Sequence, residues 1–337
     1  MTASTTPSAP AAQAGGPGLF WLEPQLQSLR RARAQGRLPH ALLIQDSPGA
    51  GGGRLALWAA QTALCLEPDA PCGRCRNCER VAARAHPDLW VLEPEEDSLQ
   101  IKVDQVRELT ESLALTGHGS GASVAIVNPA DMLTPSAANA LLKTLEEPRP
   151  GALIVLVTAV SARLPATVLS RCQRLKVQPP ARAACLAWLR EHRGEGDWEA
   201  ALDVLGNAPL RALEADPAEL RALRDETESQ LEGALSGALD IPPAAERWAQ
   251  KGGFELRLLC AENWVTRQIA ARTGPAGTLT EVHTGAHLPA ANYSMNIRGL
   301  IRLMDALYEL RRLATTTINK SLAVEQLLWQ LRATGKS

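Results

Sequence analysis

The chain has 337 residues, with Lys+Arg 35 against Asp+Glu 36 and a net charge of −1. That length exceeds what one hydrophobic core usually organises, so two or three domains are expected. The neutral balance argues against a chain that grips nucleic acid strongly by itself, because phosphate binding needs a surplus of Lys and Arg. Hydrophobic residues at 45% and charged residues at 21% are ordinary globular composition, and no run of 18 apolar residues offers a membrane span.

Residues 1–18 are rich in Ala, Pro, Ser, Thr and Gly. Lacking a positive segment and a continuous apolar run, they read as a disordered tail rather than a signal peptide. Arg30, Arg31, Arg33 and Arg37 then cluster, which reads as a solvated helix face. Short apolar runs follow at Ala41–Ile44, Leu89–Leu92, Val124–Val127, Leu153–Val157 and Leu175–Val177. Such runs predict parallel strands buried on both faces. Helical periodicity lies between them at Val103–Leu115 and Ala137–Glu147, the second stopped by Pro148. Alternating strands and helices predict an α/β domain with a parallel sheet over residues 19–177. After Pro179-Pro180 no strand pattern remains. A small helical domain is expected at 178–222 and a larger all-α bundle at 223–337, including Cys185–Glu191, Leu256–Ala270, Ile297–Ala314 and Leu322–Leu331.

The first strand runs into a glycine-rich turn, Asp46 to Arg54, and then a helix, the usual phosphate cradle. Aligned to G-x-x-x-x-G-K-[ST] with Gly51 as the second glycine, Asp46 replaces the first glycine. Gly52 replaces the lysine and Gly53 the hydroxyl residue. The lysine would serve the β- and γ-phosphates and the hydroxyl would hold Mg²⁺, whereas Asp46 puts negative charge beside the phosphate position. Arg54 comes two residues late and points about 200° away on a helix. The strand Val124–Val127 should likewise lead to Asp and Glu, but Asn128 and Pro129 stand there. Asp131, three positions downstream, reads as a helix cap. No ATP is expected in this chain.

Cys65, Cys72, Cys75 and Cys78 fall within fourteen residues at spacing C-x6-C-x2-C-x2-C. Two overlapping C-x-x-C steps let four thiolates converge on tetrahedral Zn²⁺, leaving no open position, so a structural site is expected. An iron–sulfur cluster uses similar spacings, though nothing else suggests redox work. His86 is a conceivable alternative ligand and reads more simply as a turn residue. Cys172, Cys185 and Cys260 stand alone and read as buried or interface thiols. Seven cysteines used this way suit a reducing cytoplasm. The six histidines, His40, His86, His118, His192, His283 and His287, lack supporting hydrolase motifs.

The stretch from Asn128 to Pro148, NPADMLTPSAANALLKTLEEP, resembles the bacterial DNA polymerase III clamp-loader AAA+ family. So do the four-cysteine insertion, His86-Pro87-Asp88, Ile101 to Leu109, and Leu169-Ser170-Arg171-Cys172. The likeness covers roughly residues 19–180. That family has an ATP-hydrolysing branch, tau/gamma, and a branch whose nucleotide site has decayed. The departures at Asp46, Gly52, Gly53, Asn128 and Pro129 point to the second. The resemblance implies an AAA+ domain with a zinc insertion at 65–78, a helical lid and a collar that joins a hetero-pentamer. It also implies tau/gamma and delta as partners, and a role in loading the sliding clamp onto primed DNA. Within Ser170-Arg171-Cys172 it implies that Arg171 reaches into a neighbouring tau/gamma site as an arginine finger, with Arg174 an equal candidate on sequence alone. Arg211 falls where a lid arginine senses nucleotide, and without nucleotide it is expected to form a structural salt bridge. Two other readings of these residues are an active tau/gamma-like ATPase, which needs an unconventional cation such as Arg54, and a zinc-dependent nucleic-acid-binding module. The neutral charge and 4% aromatic content oppose the latter.

Overall fold

The computed structural model describes residues 18–95, 98, 100–114, 121–250, 252–273, 297–313 and 318–334. Residues 1–17 of the expected tail lie outside these, as do His118, His283 and His287. The chain divides into two compact units, one reaching Pro179 and the other beginning at Pro180.

In the first unit, β1 (Ala41–Asp46), β2 (Leu89–Leu92), β3 (Ser123–Val127), β4 (Ala152–Thr158) and β5 (Gln173–Val177) form one sheet. The strand order is β2-β3-β4-β1-β5 and every pairing is parallel. Leu43 of β1 lies between Leu156 of β4 and Arg174 of β5. Every residue of β3 and β4 is buried, the outcome that unbroken Val/Ile/Leu runs require when helices cover both faces.

The helices of this unit are α1 (Glu23–Ala34), α2 (Gly52–Leu64), α3 (Arg76–Ala82), α4 (Val103–Ala114), α5 (Pro135–Glu146) and the single turn α6 (Ala166–Leu169). The sequence of α5 explains both of its ends. Thr134 caps it by accepting the Ala137 N–H at 3.2 Å, and Pro135 occupies the first turn, where no donor is needed. Ala137, Leu141 and Leu145 recur at helical spacing and pack with Leu43, Ala125, Ile154 and Leu156. The helix closes with the Glu147 N–H on the Lys143 carbonyl, just before Pro148.

The second unit holds α7 (Arg182–Arg193), α8 (Trp198–Leu205), α9 (Pro209–Glu214), α10 (Pro217–Ser236), α11 (Ile241–Trp248), α12 (Phe254–Thr273), α13 (Ile297–Leu313) and α14 (Lys320–Thr334), with no strand among the described residues. Residue 222, where the sequence suggested a lid-to-bundle boundary, falls inside α10. Asp203 of α8 pairs with Arg182 of α7 at 2.6 Å and with Arg224 of α10 at 3.2 Å, tying the two regions together. Leu231, Trp248, Leu258, Leu300, Leu307 and Leu328 centre a shared core. Trp248, fully buried, donates its indole N–H to Gln230 Oε1 at 2.6 Å, which satisfies its polar atom inside that core. On α13 the buried stripe is Leu300, Leu303, Leu307 and Leu310, while Ile297, Ile301 and Tyr308 remain exposed. Leu322 and Trp329 of α14 are exposed as well.

Leu156 sits fully buried in the central strand β4. Its truncation to Ala is expected to cost the sheet-bearing unit about 2–5 kcal/mol, since a cavity adds to the lost transfer energy. Urea unfolding of the full chain measures this as a lower midpoint with an unchanged slope.

Candidate functional site

The turn after β1 has the backbone form of a phosphate cradle. Gly49 and Gly51 take positive φ values of 82° and 108°, conformations that favour glycine, and Gly51 caps the N-terminus of α2. The Ala50 N–H donates to the Ser47 carbonyl at 2.8 Å, and Trp21 donates its indole N–H to the Ala50 carbonyl at 2.7 Å. The side chain of Asp46, however, crowds the position of the missing lysine. A Cβ built on Gly52 would lie 2.5 Å from Asp46 Cβ, 2.6 Å from its Cγ and 2.9 Å from Oδ2. No residue larger than glycine fits at the lysine position beside Asp46. Burial raises the Asp46 carboxyl to about 6, against which the Gly52 backbone N–H pulls it down. Its Oδ1 is buried without a hydrogen-bond partner.

At the position of the missing hydroxyl, a Cβ on Gly53 would face Asn128 Nδ2 at 3.5 Å. The two halves of the expected Mg²⁺ site therefore do come together, carrying an amide and a hydrogen atom in place of a carboxylate and a hydroxyl. Pro129 follows Asn128 through a cis peptide. Asp131 is not a helix cap. Its Oδ1 accepts the Thr158 hydroxyl at 2.9 Å and the Ala159 N–H at 3.2 Å, which locks the loop after β3 to the end of β4.

The four cysteines converge. Cys65 ends α2 and Cys75 caps α3, where its sulfur accepts the Cys78 N–H at 3.4 Å. Sγ separations are 3.7 Å for Cys65–Cys72 and 3.9 Å for Cys65–Cys75 and Cys72–Cys78. All four sulfurs lie within 4.8 Å of one another. A tetrahedron of thiolates at about 2.3 Å from an ion has edges of about 3.8 Å, so the arrangement could hold such a metal ion. Burial raises the Cys65 and Cys78 thiols. Burial opposes ionisation of Cys72 too, but the Arg74 and Cys75 N–H groups and the thiols of Cys75 and Cys65 outweigh it and bring Cys72 down to about 7.

The surrounding contacts fix the knuckle. Arg33 donates to the Ala63 and Cys65 carbonyls, so it is not part of a solvated face, although Arg30, Arg31 and Arg37 are exposed. Asn77 and Gln61 donate to the Leu64 and Cys78 carbonyls, each at 2.9 Å. His86 stays out of the cluster; its Nδ1 accepts the Asp88 N–H at 3.1 Å, as a turn residue. Cys172, Cys185 and Cys260 are buried, and burial pushes their thiols up to about 11, 11 and 12.

Arg171 follows the turn of α6. Its Nη1 donates to the Thr167 carbonyl at 2.7 Å, and its Nη2 pairs with Glu146 Oε1 at 2.6 Å. Ser170 donates its hydroxyl to the same Thr167 carbonyl at 3.1 Å. Arg174 is exposed on the edge strand β5 and makes no ion pair among the described residues. Nor does Arg211, for which a salt bridge was expected. Trp21 and Glu146 were not singled out by the sequence, because each meets partners at least 25 residues away.

A carboxyl raised on folding binds a proton between its ordinary value of 3.8 and about 6. Stability is therefore fullest below the lower value and falls as pH climbs, with the whole cost present above about 6. Asp46→Asn removes that cost. Its stability relative to wild type is expected to grow by on the order of 1–2 kcal/mol from pH 4 to pH 7, allowing for partial exposure. Thermal unfolding across this range checks it, and a pH-independent difference would contradict a buried carboxyl.

A family model described as "DNA polymerase III, delta subunit" matches residues 21–181. The delta-prime subunit of DNA polymerase III from Pseudomonas aeruginosa is 37% identical over 62% of this chain and 65% of its own length. That from Escherichia coli is 42% identical over 50% of this chain and 51% of its own. The tau subunit from Bacillus subtilis is 29% identical over 44% of this chain and 26% of its own. The chain thus matches between half and two thirds of the length of these delta-prime relatives. The chain is therefore similar to the delta-prime subunits of DNA polymerase III, and the family-model match spans the unit that carries the parallel sheet and the four-cysteine knuckle.

Proposed function

We propose that this chain is a non-hydrolysing member of a cytoplasmic clamp loader, completing a neighbouring subunit's ATP site instead of running one of its own. The observation that carries this reading is the contact between Asp46 and the Gly52 position, which leaves no room for the phosphate-binding lysine. The pairing of Asn128 with Gly53, which offers Mg²⁺ neither a carboxylate nor a hydroxyl, supports it. An active ATPase of the tau/gamma kind would need both.

In this reading, Arg171 works in trans on a tau/gamma neighbour, where its guanidinium offsets charge developing on the transferring γ-phosphoryl group. Ser170 helps to hold the turn that presents it. The Arg171–Glu146 pair is partly exposed, with side chains 33% and 49% accessible. Pairs of this kind contribute little, about 0–1 kcal/mol, so the guanidinium can leave Glu146 at small cost. The exposed apolar residues Ile297, Ile301 and Tyr308 of α13, with Leu322 and Trp329 of α14, suit a collar that packs against other subunits, tau/gamma and delta, in a hetero-pentamer. Residues 178–222 would act as the lid and 223–337 as the collar, with α10 shared between them. Sliding clamp and primed DNA are then met through the assembled complex. The cysteine knuckle holds structural zinc; the ion would join the end of α2 to the start of α3.

Two measurements test this. Arg171→Ala is expected to leave assembly with tau/gamma and delta intact but slow clamp- and primed-DNA-stimulated ATP turnover, by up to about 10³-fold. Unchanged turnover in the assembled complex refutes the finger role. Purified chain should carry about one zinc per molecule, and Cys72→Ser should bring it well below half. A metal content that is low in both, or equal in both, counts against a four-cysteine zinc site.

A further inference from the structure

The missing lysine and the extra carboxylate need not be separate losses. Asp46 ends β1 and Gly52 opens α2, and the turn between them brings the two backbones close enough that a Cβ on residue 52 would stand 2.5 Å from Asp46 Cβ. Both atoms are fixed directly by backbone, so no side-chain rotation relieves the clash. The Asp46 carboxyl group also lies over the start of α2, with Oδ2 2.9 Å from that same Cβ position. This is the end of the helix where backbone N–H groups and the helix dipole favour an anion. Its Oδ1 is buried and unpartnered. Trp21 ties down the same turn by donating its indole N–H to the Ala50 carbonyl at 2.7 Å.

We infer that the Asp46 carboxyl group is a built-in occupant of the phosphate cradle, and that Asp46 and Gly52 require one another, so nucleoside di- and triphosphates are kept out by filled space as well as by the missing lysine. This rests on the non-hydrolysing reading above but makes a separate claim about how the loop is closed. Restoring a lysine through Gly52→Lys and a hydroxyl through Gly53→Thr is then insufficient while Asp46 remains. Removing Asp46 reopens the cradle.

The experiment is a variant cycle on the full chain with two readouts. In the first, thermal unfolding compares wild type, Gly52→Ala, Asp46→Gly and the double variant. Alanine normally favours a helix over glycine, yet here Gly52→Ala is expected to lower the midpoint by several degrees through overpacking. In the Asp46→Gly background the same change is expected to be neutral or stabilising. A Gly52→Ala chain as stable as wild type overturns the inference. In the second, calorimetric titration with Mg²⁺-ADP compares Gly52→Lys/Gly53→Thr with Asp46→Gly/Gly52→Lys/Gly53→Thr. The triple variant is expected to bind at least tenfold more tightly, because a phosphate takes the place of a carboxylate. Equal affinity of the two, including no binding by either, overturns it. Tight Mg²⁺-ADP binding by wild type would instead remove the nucleotide-free reading itself, a result that the unfolding cycle alone cannot produce.

Discussion

Parallel strands can be joined only by crossovers that return over a face of the sheet, and this constraint gathers the loops after β1, β3 and β4 at one edge. The residues around the turn after β1 and around Arg171 are placed by that gathering. The turn after β1 carries Asp46, Gly51 and Gly52; the loop after β3 brings Asn128 opposite Gly53 and sends Asp131 to the end of β4. The loop after β4 leads to α6 and Arg171, which rests against Glu146 at the end of α5. With β3 and β4 buried throughout, the framework holds whether or not the edge still supports a reaction. A nucleotide site can therefore lose its working groups while its backbone persists.

The knuckle is a second, local answer to a similar problem. Two short helices, α2 and α3, meet at a turn with little apolar surface of its own, the local cluster being Cys65, Ala70 and Cys78 with Cys72 and Cys75 beside it. The convergent sulfurs could hold a metal ion, and such an ion would cross-link the turn where a hydrophobic core is too small. Arg33 places its cation on the carbonyls that end α2, where the helix dipole favours positive charge.

The central strands were legible in the sequence almost residue by residue, because fully buried parallel strands leave uninterrupted Val/Ile/Leu runs; the edge strand β5, expected to be buried on both faces, is instead exposed at Gln173, Arg174 and Lys176. Val124–Val127 became Ser123–Val127, and Leu153–Val157 became Ala152–Thr158. The cysteine cluster was legible because ligand spacing is itself local. Interactions set by side-chain direction were not. Asp131 read as a cap because a threonine–proline helix start lies just beyond it, but Thr134 does the capping and Asp131 turns to β4. Arg33 read as one of four solvated arginines because its carbonyl partners lie about thirty residues away in sequence. Arg211 read as a salt-bridging residue, but it makes no ion pair among the described residues. The lysine position at 52 was visibly empty in the sequence; that Asp46 fills it depends on the curvature of the turn between β1 and α2.

The close approach of residues 46 and 52 also couples the two positions as a pair. A side chain at 52 and an aspartate at 46 compete for one volume, because the contact is between Cβ positions that the backbone itself fixes. Either residue therefore sets what the other can be, although six positions separate them along the chain.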